Sequence, residues 1–326
     1  QRYLKEITDL PTRCKKIIAK IQEVQPDVIA FQEMDMFEDL NPLLEAAGYT
    51  AGSDAASNYR ELAQSVKDLG IKMKTPDAGP PKDFAERYRE LLTHSAGKGL
   101  CFCPNFDSTA RRFNPEGFDD GIAVFWKSSV LKVRSPPDVW TYDLKADAPA
   151  LRVKLQHVSS GLAVDVMTLH LPSGPGKELR RQLNLWQLHE LLGGSANLAT
   201  GTPLILAVDL NSDAHLKPPV GQEMEIVAQD GSSKKAEFDL DEPLRHACFK
   251  LLQGPASNAS ATYAHPASVE SAKSFAVDLP HWGLKNAWGT TDDRIPLSVV
   301  KMRGPASDQV KKWGEFILET TDHVFC

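Results

Sequence analysis

Pro203-Leu204-Ile205-Leu206-Ala207-Val208-Asp209-Leu210-Asn211-Ser212-Asp213 is the stretch on which the fold of this chain turns. Five apolar residues, Leu204 to Val208, follow Pro203, and polarity changes at Asp209, Asn211, Ser212 and Asp213. A short apolar run bounded by turn residues reads as a strand buried on both faces. On an extended chain, Asp209 and Asn211 share one face at its carboxyl end. A carboxylate beside an amide there can orient a water and steady a phosphoryl oxygen. Taken alone, the same residues also read as a strand followed by an Asp/Asn-rich turn.

Composition narrows the classes. The chain has 326 residues, 42% hydrophobic and 25% charged, values ordinary for a globular protein. That length suffices for one large domain or two medium ones with a sizeable core. Nothing in the interior marks a boundary, so one domain over 1–326 is expected. A net charge of −6 and a pI near 5.9 argue against a broadly basic surface gripping long nucleic acid. A nuclease survives that objection, because a local basic cleft or a bound cation can supply positive charge. The five cysteines (Cys14, Cys101, Cys103, Cys248 and Cys326) are scattered and form no CxxC. This usage implies a reducing, intracellular and cytoplasmic setting without a disulfide framework or structural zinc. No apolar run is long enough to span a membrane. Because the chain starts at Gln1, targeting is unreadable and an organellar leader stays open.

Outward from the opening stretch, the same device recurs upstream. Pro11-Thr12 starts a predicted helix over 11–24, with Ile17, Ile18, Ile21 and Val24 at helical spacing. Gln25-Pro26-Asp27 ends it, and Val28-Ile29-Ala30-Phe31 makes a buried strand running into Gln32-Glu33. Glu33 is thus a charge delivered to a strand end, or a cap for the helix predicted over 37–47. Residues 54–95 read as a helical insertion, with one stripe on Tyr59, Leu62, Val66 and Leu69 and another on Phe84, Tyr88, Leu91 and Leu92. Strands are predicted at 99–103, 121–126, 130–134, 151–157 and 162–169, the last ending at His170. A helix over 177–192 follows, with Lys177, Arg180 and Arg181 in its first turns. Beyond the strand at 204–208 come a polar stretch (217–237), a helix near 242–252, a loop over 253–274, and strands near 284–288, 297–302 and 315–325. Strands grouped with a few helices indicate an α/β protein with mixed sheets.

Glu33, His170, Asp209, Asn211 and Asp322 all fall at predicted strand ends, and their neighbours carry a resemblance. Pro26-Asp27-Val28-Ile29-Ala30-Phe31-Gln32-Glu33 resembles the "PDV-apolar-QE" box of the endonuclease/exonuclease/phosphatase superfamily. Asp120-Gly121-Ile122-Ala123-Val124-Phe125 is similar to its "DG-x-A-x-F" strand, and Thr168-Leu169-His170-Leu171 to its "THL" box. Val208-Asp209-Leu210-Asn211-Ser212 resembles "GDFNS", and Thr320-Thr321-Asp322-His323-Val324-Phe325 resembles "T-x-DYIF". Single boxes are weak signals, but these five keep the family's order. Softer similarities point to its deadenylase-type branch of nocturnin- and Angel-like proteins. They are the helix after the His box, Gly283-Leu284-Lys285-Asn286-Ala287-Trp288, and Cys101-Phe102-Cys103-Pro104 followed by Asn105 where the branch has lysine.

The resemblance implies a four-layer α/β/β/α sandwich, two mixed β-sheets flanked by helices. It implies hydrolysis of a phosphate ester with Mg²⁺, or Mn²⁺ in its place, acting on RNA or a nucleotide. By the same resemblance Glu33 binds the metal, Asp209 orients or deprotonates the attacking water, and Asn211 hydrogen-bonds the phosphoryl group. His170 assists the transition state, and Asp322 holds a histidine in its working tautomer. Lys177, Arg180 and Arg181 are candidates to contact substrate phosphates. Two family boxes have no counterpart: a first strand with an Asn before residue 11, and a closing "SDH" after residue 326. In the alternative alignment, Thr321-Asp322-His323 is that closing box and His323 is the histidine. The leading expectation is a 3′-exoribonuclease of the poly(A) deadenylase kind. Alternatives are a small-molecule phosphatase, such as one removing the 2′-phosphate of NADPH, and a catalytically incomplete binding or scaffold relative.

Overall fold

The computed structural model describes residues 9–71, 84–104, 121–140, 149–171, 178–194, 197–198, 201–211, 222–227, 233–238, 248, 251–252, 282–284, 299–303, 315–319 and 322–325. The chain groups into two compact units, one of Gln1–His170 with Thr202–Leu204, the other of Leu171–Gly201 with Ile205–Cys326.

In the first unit, helix α1 (Leu10–Val24) begins where its sequence provides a cap. Asp9 accepts a hydrogen bond from the Thr12 backbone N–H at 3.0 Å, satisfying one orphan donor of the first turn. Gln25 closes the helix in the left-handed region (φ 52°), its N–H donating to Ile21 O. Strand β1 (Val28–Phe31) follows, half-buried at every residue rather than buried as expected, then α2 (Phe37–Ala46), β2 (Tyr49–Thr50), α3 (Ala55–Ile71) and α4 (Phe84–Gly97). The two stripes read between 54 and 95 are thus the helices α3 and α4. Strands β3 (Phe102–Pro104), β4 (Gly121–Lys127), β5 (Leu131–Val133), β6 (Asp138–Trp140), β7 (Ala150–His157) and β8 (Ala163–His170) complete the unit.

These strands form two sheets. In one, β4 is central, with β1 antiparallel on one side and β2 and β3 antiparallel on the other. In the other, β7 pairs antiparallel with β8, β5 and β6. The sheets pack face to face through β4, which lies against β7 and β8. Their sequences differ accordingly. Strand β4 is covered on both faces and reads as the continuous run Ile122-Ala123-Val124-Phe125-Trp126, all buried. Strand β7 alternates, burying Leu151, Val153 and Leu155 while Arg152 and Lys154 stay half-buried. On the far face of the first sheet the helices supply aromatic rings. Phe37 of α2 stacks on Tyr59 of α3 at 4.6 Å between centroids and meets Phe102 at 4.9 Å and Phe125 at 5.7 Å. Helix, sheet and sheet are therefore stacked in this unit, an α/β sandwich with two sheets.

The second unit contains α5 (Glu178–Leu191), β9 (Leu204–Asp209, from Ile205 on) and β14 (Asp322–Phe325), which pairs antiparallel with β9. Two antiparallel pairs, β10 (Gln222–Val227) with β11 (Ser233–Phe238) and β12 (Val299–Arg303) with β13 (Glu315–Glu319), belong to it as well. Helix α5 buries Leu185 and Leu188 together with four polar residues, Arg181, Gln182, Asn184 and His189. The opening stretch is a strand, but not one buried on both faces as expected: Leu206 and Val208 are fully buried, whereas Ile205, Ala207 and Asp209 on the other face are half-buried.

Some elements depart from the sequence reading. The stretch 217–237, read only as polar, contains the β10–β11 hairpin. Its strands carry too many charges to alternate clearly, and Asp230-Gly231 between them was the usable signal. Strands β2 and β6, of two and three residues, are too short to carry a periodicity in the sequence. Of the helix expected near 242–252, Cys248, Leu251 and Leu252 are helical. Residues 285–288 of the strand expected near 284–288 lie outside the described residues.

Candidate functional site

Three sheet ends carry the residues of interest. Strand β1 stops at Phe31, and the chain turns sharply at Glu33, whose φ is +50°. For a residue other than glycine this left-handed conformation is costly and is kept only where the surroundings enforce it. The next residue, Met34, is buried and donates its backbone N–H to Gly121 O at 2.8 Å. The result is a Glu33 side chain 69% exposed, with Oε1 3.8 Å from His170 Nε2. That is an ion-pair distance and too long for a hydrogen bond. His170 ends β8 with its own side chain only 11% exposed. The first unit thus brings together two residues named from sequence, from strands of different sheets. Glu33 does not cap α2, whose N-cap position is Met36 without a side-chain cap hydrogen bond and whose first turn carries Glu38 and Asp39 instead.

Gly121, of the "DG" box, has a steric reason to be glycine. A Cβ there would lie 2.6 Å from the Phe102 ring and 2.8 Å from Cys103 O, both closer than real contacts allow. Asp120 lies outside the described residues.

In the second unit, β9 ends at Asp209. Asp209 Oδ1 accepts the backbone N–H of Asn211 at 2.8 Å, and Asn211 takes φ +48°. This corrects the expectation that the two side chains share a face by strand alternation. The chain is not extended at Asn211; an Asx turn relates the residues. Asn211 Nδ2 donates to Leu171 O at 2.8 Å, and Leu171 N donates to Asp209 O at 2.9 Å. Within the second unit, Leu171 is therefore stitched to the end of β9. In the β14–β9 register Asp322 stands opposite Asp209, and His323 opposite Val208.

The remaining named residues fall elsewhere. Arg181 is buried at 6% exposure on α5 and is not a solvated surface residue. Arg180 lies on the same helix, and Lys177, Ser212 and Asp213 lie outside the described residues.

Magnesium and manganese, implied by the resemblance, are hard cations that take carboxylate and water oxygens and retain several waters. An exposed carboxylate such as Glu33 fits that donor chemistry. Among the described residues no group of three or more His, Cys, Asp or Glu could enclose a metal, so a closed cage is not what they build. Burial pushes the Cys101 and Cys103 thiols up, away from the reactive thiolate.

A cavity of about 550 Å³ opens between α4 and β6, lined by Ala96, Pro136, Trp140, Arg152 and Lys154 among others. Its cations are already committed, because Asp138 accepts from both Arg152 and Lys154. Neither Glu33 nor His170 lines it.

No family model and no curated protein matches the sequence. Solved structures similar to this chain include the human nocturnin catalytic domain with bound sulfate, at 21% identity over 65% of this chain and 60% of that one, TM-score 0.41. The match therefore spans less than two thirds of that domain's own length. ANGEL2, a 2′,3′-cyclic phosphatase, in complex with adenosine-2′,3′-vanadate, is similar at 17% identity over 95% of this chain and 72% of that one, TM-score 0.48. An endonuclease/exonuclease/phosphatase family protein from Bacteroides thetaiotaomicron is similar at 14% identity over 64% and 57%, TM-score 0.36.

Proposed function

We propose that this chain is a divalent-metal-dependent phosphoesterase that hydrolyses phosphodiester bonds of RNA from the 3′ end, with Glu33, His170, Asp209 and Asn211 as its working residues. The observation that carries this reading is the approach of Glu33 to His170 from two different sheets, at the ends of the two strands whose boxes the sequence singles out. Bound Mg²⁺ or Mn²⁺ would draw charge from the phosphoryl oxygens and the leaving oxygen.

The chain's own residues do the rest. Glu33 offers a water-accessible carboxylate to the cation. His170, mostly buried at a strand end, donates a hydrogen bond or proton to the phosphate as charge builds. Asp209 orients or deprotonates the attacking water, one carboxylate oxygen being fixed by the Asn211 N–H. Asn211 hydrogen-bonds the phosphoryl group; the bond from its Nδ2 to Leu171 O fixes the direction of its amide. The register supports the alignment in which Asp322, paired with Asp209, has the orienting role, over the one in which His323, paired with buried Val208, is the catalytic histidine. Lys177, Arg180 and Arg181 remain proposed phosphate contacts.

The test is a 5′-labelled oligo(A) incubated with Mg²⁺ or Mn²⁺, beside phosphate release from NADPH. A ladder of products shortened from the 3′ end and abolished by Asp209→Ala is expected. Phosphate from NADPH without a ladder would move the assignment to a small-molecule phosphatase. Neither product from the wild type would leave the scaffold reading in place.

A further inference from the structure

The left-handed turn at Glu33 is held on both sides. After it, Met34 N–H is bonded to Gly121 O at 2.8 Å. Before it, the Gln32 side chain reaches across to the other sheet, its Nε2 donating to Thr168 Oγ1 at 2.7 Å. Thr168 is completely buried on β8, two residues before His170 and therefore on the same face of that strand. One hydrogen bond thus connects the chain neighbour of Glu33 to the strand neighbour of His170. A costly backbone conformation persists only where its surroundings over-determine it, and this bond is one of those constraints.

We propose that Gln32 and Thr168 form an inter-sheet clamp that sets the distance between Glu33 and His170, acting as positioning residues; this rests on the phosphoesterase reading given above. Neither side chain needs to touch substrate. Its effect is carried through the path of the main chain at Glu33 and the strand end at His170. If the bond is broken, Glu33 swings on its turn, and misplacement by an ångström can cost on the order of a hundredfold in rate.

The test compares Gln32→Met, which keeps length without the amide, Thr168→Val, which keeps shape without the hydroxyl, and Thr168→Ser, which restores the hydroxyl. Hydrolysis of labelled oligo(A) and Mn²⁺ binding by electron paramagnetic resonance are measured on each, with Glu33→Gln as reference. The expected result is a kcat loss of roughly ten- to a hundredfold in Gln32→Met and Thr168→Val with KM little changed. Mn²⁺ binding should weaken several-fold in both, Thr168→Ser should recover both readouts, and the Gln32→Met/Thr168→Val pair should be no worse than either single change. Gln32 is only half-buried, so Gln32→Met remains informative if Thr168→Val fails to fold. Gln32→Met or Thr168→Val with wild-type kcat and Mn²⁺ binding, while Glu33→Gln loses both, overturns the clamp alone. A Glu33→Gln variant that keeps activity and Mn²⁺ binding overturns the clamp together with the reading beneath it.

Discussion

Glu33 and His170 face one another across 3.8 Å, Oε1 to Nε2, one on an exposed turn after β1 and the other at the buried end of β8. Their surroundings differ in a way that suits different duties. The open carboxylate can exchange waters with a cation, and the enclosed imidazole is held by its strand. Glu33→Gln keeps size and removes charge, so it should weaken Mn²⁺ binding by at least about tenfold. His170→Gln should instead lower kcat by roughly 10²–10⁴ while leaving Mn²⁺ binding nearly intact. Calorimetric Mn²⁺ titration beside hydrolysis rates separates the two, and equal effects on both readouts would contradict the division.

Asn211 combines a backbone task with a side-chain task. Asn211→Ala loses the bond to Leu171 O and puts a β-carbon without local hydrogen bonding in the left-handed region, for a cost of about 2–3 kcal/mol. Asn211→Gly loses the bond but relaxes the backbone, so it should cost about 1 kcal/mol or less. Hydrolysis should be lost equally in both. Urea unfolding supplies the stabilities; equal values would mean that the turn is not strained.

Gly121→Ala should destabilise the first unit by about 1–3 kcal/mol, because its methyl group meets the Phe102 ring and a main-chain carbonyl that cannot retreat. Since Gly121 O also anchors Met34, Mn²⁺ binding at Glu33 should weaken in the folded variant. Thermal melts and Mn²⁺ titration on one sample check both parts.

Asp322 and His323 are adjacent but stand at different register positions. Asp322→Asn should reduce hydrolysis strongly, whereas His323→Gln should leave it within a few-fold. The reverse order would make His323 the closing histidine.

His189 is buried on α5 with its ring 5.7 Å from that of Trp282. Burial lowers its pKa below the ordinary histidine value, with Glu190 opposing that shift. The unfolded chain therefore takes up a proton first as pH falls. The stabilising contribution is complete above the unfolded pKa near 6.5 and is lost as pH falls through the lower folded value. Melting temperature should drop from pH 7.5 to 5.5, and His189→Phe should show a smaller drop. Parallel pH profiles in the two proteins would mean that His189 does not contribute.

The sequence by itself determined the strand ends. Short strand-like runs closed by Glu33, His170 and Asp209 are local patterns, legible as strand ends although burial on both faces was not. It also determined the helix α1, through its Pro11-Thr12 start, and the two helical stripes of α3 and α4, because start signals and periodicity are short-range. The tertiary structure alone decided what those ends do. That Glu33 meets His170, and that Gln32 bonds Thr168 136 positions away, depends on the stacking of two sheets. That Asp209 and Asn211 are joined by an Asx turn depends on one backbone angle, which an Asp-x-Asn sequence permits but does not require. Pairing partners and single dihedrals are set by long-range packing, and local sequence carries only the preferences on which that packing acts.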